Sequence, residues 1–202
     1  MSNCGCNIHE PPKKNNHYLA TCISCAFALY GGLIMAQEPV IVLDFRSPEA
    51  ASRWRVVNDG VMGGLSQSRM AVTAGQTGVF QGTVSLENYG GFASVRTEPT
   101  DFGLTGRKGL SLRIKGDGKS YQLRLRTDRG FDGIAYASGF DTVAGEWITV
   151  RLDFRDCSPT YRGRAVRNAP ALEPSRIRQI SLFIGDKQEG PFRLEIDSFR
   201  AY

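Results

Sequence analysis

Hydrophobic and polar residues alternate along most of the chain after residue 37, and the alternation has a period of two. The pattern is clearest in four runs, at residues 110–115, 122–126, 148–154 and 192–197. In the first run, Leu110, Leu112 and Ile114 alternate with polar side chains. A strand with this pattern buries one face and exposes the other, which antiparallel sheets permit and parallel sheets rarely do.

Seven further apolar runs predict strands, and turns rich in glycine, asparagine and aspartate separate them. They cover residues 40–45, 54–58, 70–73, 79–87, 92–97, 134–140 and 177–184. Residues 47–53 predict a helical turn with Ser47 as its N-cap and Pro48 as its first residue. Residues 156–175, with three prolines, predict a long irregular connection. Strands at this spacing without crossover helices predict an all-β fold, a single jelly-roll β-sandwich domain over residues 37–202.

The first 36 residues have a different character from the rest of the chain. Lys13 and Lys14 precede an uncharged, largely apolar run at residues 18–36. This order is typical of a secretory signal peptide or a membrane anchor, so residues 1–36 predict export or membrane attachment. Met35 offers a second start, and translation from it would leave a cytoplasmic protein.

The positions of histidine and cysteine exclude several enzyme classes. Both histidines and four of the five cysteines lie in the first 36 residues, and only Cys157 follows. A domain without histidine cannot form a Ser-His-Asp or Cys-His arrangement or a histidine-ligated zinc site. The N-terminal cysteines and histidines fall in a tail and an apolar run rather than on a compact scaffold. We therefore expect no metal and no cofactor.

Residues 58–66 form the most unusual loop of the sequence. Gly60, Gly63 and Gly64 lie within five residues, which allows positive φ angles and close approach of the backbone. Such a loop could line a cradle of amides for an anion or a carbonyl, or it could simply need those dihedral angles. Met62 would suit adaptable apolar contact with a partner. We expect Asp59 and Met62 to be exposed.

Pairing residues 79–87 with 92–97 as a hairpin predicts a polar outer face beside that loop. The register sets Leu86 opposite Ala93, and it places Glu87 and Arg96 on the solvent side among hydroxyl groups. This face could bind a sugar or an extended peptide. It could equally be a solvated surface stabilised by a cross-strand ion pair.

A second polar face is predicted from Arg113, Lys115, Arg124 and Arg126, which would share the outer side of two adjacent strands joined by a hairpin turn at residues 116–118. Nucleic-acid binding usually places stacking aromatics among such charges, and none is interleaved here. The pattern favours a solvated or acid-facing surface over nucleic-acid binding.

Two stretches, at residues 54–66 and 82–96, resemble the thirty-kilodalton complex I intermediate-associated protein family. Shorter matches extend the resemblance in order, at residues 116–121, Trp147, residues 162–163 and residues 186–192. The resemblance implies a galactose-binding-like jelly roll and a role in assembling the membrane arm of mitochondrial NADH:ubiquinone oxidoreductase. It implies no catalytic residues. The N-terminus differs from an Arg-rich amphipathic mitochondrial transit peptide.

We therefore expect a non-enzymatic assembly factor that holds a protein partner, such as a subunit of a respiratory membrane complex. The residues expected to contact the partner are Asn58, Asp59, Gly60, Met62, Gly63, Ser66, Glu87, Asn88, Arg96, Asp186, Lys187 and Gln188. The alternative is an exported carbohydrate-binding module, for which Tyr89, Phe92 and Tyr136 are the candidate stacking aromatics. A third reading, an enzyme using Asp59 and Glu87 for acid–base chemistry, has less support.

Overall fold

The computed structural model describes residues 38–202, and this range folds into strands joined by turns and short 3-10 helices. The strands are β1 (Val40–Asp44), β2 (Trp54–Val56), β3 (Gln67–Val72), β4 (Gly78–Val84), β5 (Ala93–Thr97), β6 (Gly109–Lys115), β7 (Ser120–Arg126), β8 (Ala135–Asp141), β9 (Trp147–Asp153), β10 (Ser158–Tyr161), β11 (Arg164–Ala165), β12 (Gln179–Ile184) and β13 (Gly190–Ala201). The 3-10 helices are Pro48–Arg53, Asp59–Met62, Glu87–Tyr89, Phe154–Asp156 and Pro174–Arg176. No helix in residues 38–202 has the length and hydropathy needed to cross a membrane. The predicted signal peptide or anchor lies outside the described residues.

The strands form two antiparallel sheets. Sheet A has the order β3-β4-β13-β6-β9, with β1 also paired to β13, and sheet B has the order β11-β10-β8-β7-β12-β5-β2. The long strand β13 holds sheet A together, because its first half pairs with β4 and its second half with β6 and β1. This two-sheet arrangement confirms the predicted all-β sandwich.

The core lies between the sheets and is built from the apolar members of the alternating runs. Sheet A contributes Leu110, Leu112 and Ile114, and sheet B contributes Leu123 and Leu125, all of them fully buried. Burying a side chain of this size contributes about 1.5–3 kcal/mol, so the alternating pattern supplies most of the driving force for the sandwich. The polar members of the same runs necessarily form the outer faces of the sheets.

The predicted helical turn is confirmed as a 3-10 helix, Pro48–Arg53. The Ser47 hydroxyl accepts a hydrogen bond from the Glu49 amide at 3.3 Å, and Pro48 occupies the first turn. The turn leads into Trp54, whose ring packs 6.1 Å from that of Phe45 and 5.9 Å from that of Phe199. The capping residues thus form the predicted turn, and the turn leads directly to the buried Trp54.

The predicted hairpin of residues 79–87 and 92–97 is wrong, because its two strands belong to different sheets. Val84 of β4 pairs with Gly190 in sheet A, whereas Arg96 of β5 pairs with Arg55 and Ser181 in sheet B. The 3-10 helix Glu87–Tyr89 carries the chain across, with Asn88 and Tyr89 at positive φ. Both edges of β4 are already taken by β3 and β13, which leaves no edge for β5.

The predicted hairpin at residues 116–118 is also wrong, since the turn connects β6 of sheet A to β7 of sheet B. Arg113 and Lys115 therefore lie on the opposite side of the molecule from Arg124 and Arg126, and the single basic face does not exist. Residues 156–175 are less irregular than predicted, because β10 and β11 extend sheet B beyond β8. The four-residue strand β10 contains a proline and therefore gives little signal in the sequence.

Candidate functional site

Asp59 is fully buried and joins the 58–66 loop to the crossing between β4 and β5. Its Oδ1 accepts the Ser66 amide at 3.0 Å, and its Oδ2 accepts the Gly91 amide at 2.7 Å and the Phe92 amide at 3.2 Å. The Ser66 hydroxyl donates a fourth bond to Oδ2. The prediction that Asp59 is exposed is therefore wrong. We call Asp59 and these three donor residues the Asp59 centre.

Glycines make room for the Asp59 carboxylate. A Cβ at Gly64 would lie 2.6 Å from Oδ1, and one at Gly90 would lie 2.6 Å from Oδ2. Gly63 has a φ of +90°, which confirms the expected left-handed position in this loop. The amides that converge here do cradle an anion, but the anion is the protein's own carboxylate. The loop composition is thus explained by the packing around Asp59.

Hydrogen bonds keep the Asp59 carboxylate ionised. Burial raises the pKa of Asp59, but the bonds from Ser66, Gly91 and Phe92 outweigh that effect and hold the pKa below its usual value. A carboxylate engaged by four donors is not available for acid–base chemistry. Among residues 38–202, no basic side chain forms a salt bridge with it.

Asn58 and Ser66 extend the same network. The Asn58 Oδ1 accepts the Ser94 amide at 3.2 Å and the Ser68 hydroxyl at 2.8 Å, and the Ser66 hydroxyl accepts the Ser85 amide at 2.9 Å. These bonds fasten the loop to strands of both sheets. Three of the residues predicted to meet a partner, Asn58, Asp59 and Ser66, therefore support the loops from inside.

The segments joined by Asp59 present apolar side chains to solvent. Met62 is exposed as predicted, and four further large apolar side chains are exposed in the two segments, two in each. Of these four, only Tyr89 was a candidate from the sequence, as a stacking aromatic. The exposed fractions range from 37% to 98%. We call this set the loop surface: Val61, Met62, Leu65, Leu86 and Tyr89. Gly60, Glu87 and Asn88 are exposed in the same two segments. Residues 58–66 have no alternating pattern, and Leu86 lies in the run at residues 79–87 whose predicted register placed it on the core side, so that prediction is wrong. Only the tertiary structure distinguishes these exposed apolar residues from core residues.

The turn between β12 and β13 adjoins this end of the sandwich. A Cβ at Gly185 would lie 3.5 Å from the Gly91 carbonyl oxygen. Asp186 and Lys187 are exposed with φ of 57° and 59°, whereas the Gln188 amide brackets Ser120, accepting from its N–H at 2.9 Å and donating to its carbonyl at 2.8 Å. Gln188 thus orders the turn, and Asp186 and Lys187 remain at the surface.

Arg96 does not pair with Glu87, its predicted partner. Glu87 is on the 3-10 helix between the sheets, and Arg96 is on the outer face of sheet B, where it donates to the Phe131 carbonyl at 2.8 Å. The Arg96 guanidinium also lies 5.1 Å from the centre of the Phe131 ring. No Glu87–Arg96 ion pair forms, and the polar face predicted from the hairpin is absent.

Arg96 instead shares the outer face of sheet B with Arg124 and Arg126. Strand β12 runs between their strands, and Ser181 pairs with Arg96 on one side and Arg124 on the other. We call Arg96, Arg124, Arg126 and Ser181 the arginine face. The Arg124 guanidinium lies 3.3 Å from the centre of the Phe183 ring, so aromatic side chains do accompany these charges, contrary to expectation.

The arginine face is electrostatically unusual. Burial and, to a smaller extent, repulsion from neighbouring arginines lower the pKa of Arg96 and of Arg124 to about 10. Burial also lowers the pKa of Arg126. Within residues 38–202, none of the three forms a salt bridge. Three half-buried cations therefore share one face of a sheet without a paired carboxylate.

The candidate stacking aromatics have different environments. Tyr136 is buried, and its hydroxyl donates to the Pro170 carbonyl at 2.8 Å. Phe92 is half-buried and stacks on Phe183 with ring centres 5.4 Å apart. Tyr89 is the most exposed of the three. The Phe183 ring is covered by Phe92 and by Arg124, which leaves it no free face for a sugar ring.

The fold has relatives among solved structures. The Family 11 carbohydrate-binding module of the cellulosomal cellulase Lic26A-Cel5E of Clostridium thermocellum superposes with a TM-score of 0.62. The superposition covers 82% of this chain and 95% of the module, at 13% sequence identity. At that identity the similarity establishes the fold alone, a galactose-binding-like jelly-roll sandwich.

Proteins with similar sequences identify the family to which the chain belongs. The chain is 26% identical over 182 residues to "Complex I intermediate-associated protein 30, mitochondrial" of Drosophila melanogaster, which covers 79% of this chain and 62% of that protein. It is 32% identical over 168 residues to an uncharacterized protein of Schizosaccharomyces pombe, covering 73% of this chain and 77% of that protein. The family model for complex I intermediate-associated protein 30 matches residues 43–196. Because this match spans most of the sandwich, the chain belongs to the complex I intermediate-associated protein 30 family.

Proposed function

We propose that this protein is a non-catalytic assembly factor that holds a protein partner, a subunit of complex I, while the complex is built. Membership of the family and the names of the curated relatives support this role. The chain spans 62% of the Drosophila relative and 56% of the mouse relative, so the role is proposed for the part of those proteins that it matches.

The proposal depends on one observation, the exposed loop surface supported from inside by the buried Asp59 centre. Exposed apolar side chains concentrated in two joined loops are typical of protein interaction sites. Asp59 orders both loops before any partner arrives, which lowers the conformational entropy lost on binding. Met62 adds a flexible, polarisable side chain that adapts to the shape of a partner.

We propose a mitochondrial location for this role, because the Drosophila, Neurospora crassa and mouse relatives are all named as mitochondrial proteins. That location replaces the export predicted from the apolar run before residue 37. Fractionation of cells that express the full chain tests this point. Recovery in the mitochondrial fraction is expected, and recovery in the culture medium would contradict it.

The carbohydrate-binding alternative has weaker support in the geometry. Sugar rings usually stack on open aromatic faces, but the Phe183 ring is covered on both sides and Tyr136 is buried. Tyr89 is exposed but lies on a crossing loop rather than on a sheet face. The exposed aromatic therefore fits the loop surface better than a sugar platform.

The experiment is affinity capture from detergent-solubilised mitochondrial membranes, read out by quantitative mass spectrometry of complex I subunits. Val61→Ser combined with Met62→Ser removes two apolar contacts and should lower recovery of those subunits about tenfold or more, the size expected for central interface residues. Both residues are exposed, so we expect the free energy of unfolding to change by less than about 0.5 kcal/mol for each substitution.

The matched control is Val143→Ser, which changes a similarly exposed apolar residue on the connection between β8 and β9. Its recovery should equal that of the unmodified protein. Two results would overturn the proposal: no complex I subunit captured by the unmodified protein, or equal recovery by the Val61/Met62 double variant and the Val143 variant.

A further inference from the structure

Three buried side-chain polar atoms in the described part of the chain lack any hydrogen-bond partner, and all belong to the arginine face. They are the Nε atoms of Arg96 and Arg126 and the hydroxyl of Ser181. Buried polar atoms in folded proteins are nearly always paired, so each exception needs a physical explanation. Their concentration on one face of sheet B points to a common cause.

The register of the sheet brings these groups together. Ser181 lies on β12 between Arg96 of β5 and Arg124 of β7, and adjacent strands are about 4.8 Å apart. Ser181 is only 4% exposed, because the long arginine side chains rise on both sides of it. The Ser181 hydroxyl is therefore covered on the outer face of sheet B, between the strands that carry Arg96 and Arg124.

The chain's own carboxylates do not neutralise the arginine face. Asp128 and Asp132 attract Arg96 and Arg126, and Asp186 attracts Arg124, but none forms a salt bridge with them. Each is engaged elsewhere. Asp132 binds Arg162, Asp128 accepts the Gly130 amide, and Asp186 accepts from Gln122. Like charges gathered in a desolvated place are unfavourable unless an anion is bound among them.

A cavity of about 90 Å³ opens beside Arg96. Arg55, Arg129 and Phe131 line it together with Gln179, which donates to the carbonyls of Asp128 and Gly130 and so holds the loop over the sheet. Arg55 is already paired with Glu98, but Arg129 forms no salt bridge within residues 38–202. The cavity adjoins the arginine face at Arg96, while Arg124, Arg126 and Ser181 lie outside its lining. Its size leaves room beside the face for a small molecule rather than a stretch of polymer.

We propose that the arginine face binds the oxyanion of a small molecule, a phosphate or carboxylate group, between Arg96, Arg124 and Arg126, with the Ser181 hydroxyl donating to it. Guanidinium groups present N–H donors in a fork that matches both kinds of oxyanion. The ligand satisfies the unpaired atoms and supplies the missing negative charge. This site shares no residue with the loop surface, so either proposal can fail without the other.

The test is isothermal titration calorimetry of the purified protein with inorganic phosphate and, separately, with citrate, both at constant ionic strength set with sodium chloride. We expect saturable binding of one of the two at a stoichiometry of one. Binding of phosphate alone assigns a phosphate group, and binding of citrate alone assigns a carboxylate. Equal absence of binding for both would overturn the proposal.

Variants localise the site. Arg124→Gln should weaken binding at least tenfold, and Ser181→Ala should weaken it several-fold while leaving every charge in place. Arg113→Gln is the matched control, because Arg113 also lies over an aromatic ring, that of Trp147, but on the outer face of sheet A. If Arg124→Gln fails to fold, Ser181→Ala alone decides. Weakening by Arg113→Gln equal to that by Arg124→Gln or Ser181→Ala would also overturn the proposal.

Discussion

The Asp59 centre and the arginine face both bury charge without an opposite charge bonded to it, and they resolve this differently. Asp59 is surrounded by four donors from its own chain. On the arginine face, two Nε atoms and the Ser181 hydroxyl have no partner within residues 38–202. Burying a charge costs free energy at both sites, but only at the Asp59 centre do hydrogen bonds from the protein's own chain offset that cost. A completed site supports structure, whereas an incomplete one is suited to a ligand.

The difference has a geometric origin. Three of the four donors to Asp59 are backbone amides of loops that can bend towards the carboxylate, with glycines leaving space around it. The arginines stand on regular strands, whose backbone carbonyls are used in the sheet. Loop carbonyls accept from one end of the Arg96 and Arg126 guanidinium groups, but the Nε atoms of both have no acceptor in the described part of the chain.

The largest expected effect is that of Asp59→Ala. The substitution leaves the amides of Ser66, Gly91 and Phe92 buried without an acceptor, and it opens a small cavity. We expect the free energy of unfolding in urea to fall by about 3 kcal/mol or more. Asp186→Ala, at an exposed turn, should cost less than about 0.5 kcal/mol. A decrease in the free energy of unfolding of less than about 1 kcal/mol for Asp59→Ala would show that the Asp59 centre contributes little to stability.

A smaller effect is expected from acid. The folded pKa of Asp59 lies below its unfolded value of about 3.9. The stabilisation by the carboxylate is therefore complete above the unfolded pKa and is lost as the pH falls through the folded pKa. Urea unfolding of the unmodified protein and of Asp59→Asn from pH 7 to pH 2 measures it. The difference between them should be constant near neutrality and should shrink in acid; a difference independent of pH would contradict the assignment.

The smallest effect is expected from Arg126→Gln on the arginine face. Removing one of three mutually repelling charges should change the free energy of unfolding by no more than about 0.5 kcal/mol, or raise it, in buffer free of phosphate and citrate. Glu195→Gln on sheet A is the contrast, because that carboxylate bonds Thr77 at 2.7 Å and Lys115 at 3.1 Å.

Glu195→Gln should destabilise by about 1–3 kcal/mol, because it leaves Lys115 without its paired charge. Urea unfolding of both variants measures the contrast. A loss above about 1.5 kcal/mol for Arg126→Gln would mean that the arginine face is completed within the chain.

Much of the fold was predictable from local pattern. Each of the eleven predicted strands overlaps an observed one, the cap at Ser47 is present, and Gly63 has a positive φ. These features depend on residues close together in the sequence. The burial of Asp59 was missed because the loop sequence around it is polar and rich in glycine, and its donors Gly91 and Phe92 lie more than thirty residues away.

In the four alternating runs, the sequence alone determined which residues face the core, because alternation depends only on neighbours two positions apart. It did not determine which strands share a sheet. Arg113 and Arg124 follow the same pattern eleven residues apart, yet the turn between them changes sheets and places them on opposite sides of the molecule. Pairing between distant strands then set Ser181 between Arg96 and Arg124. Whether a polar side chain meets water, a carboxylate or another arginine depends on such long-range pairing, and only the tertiary structure decides it.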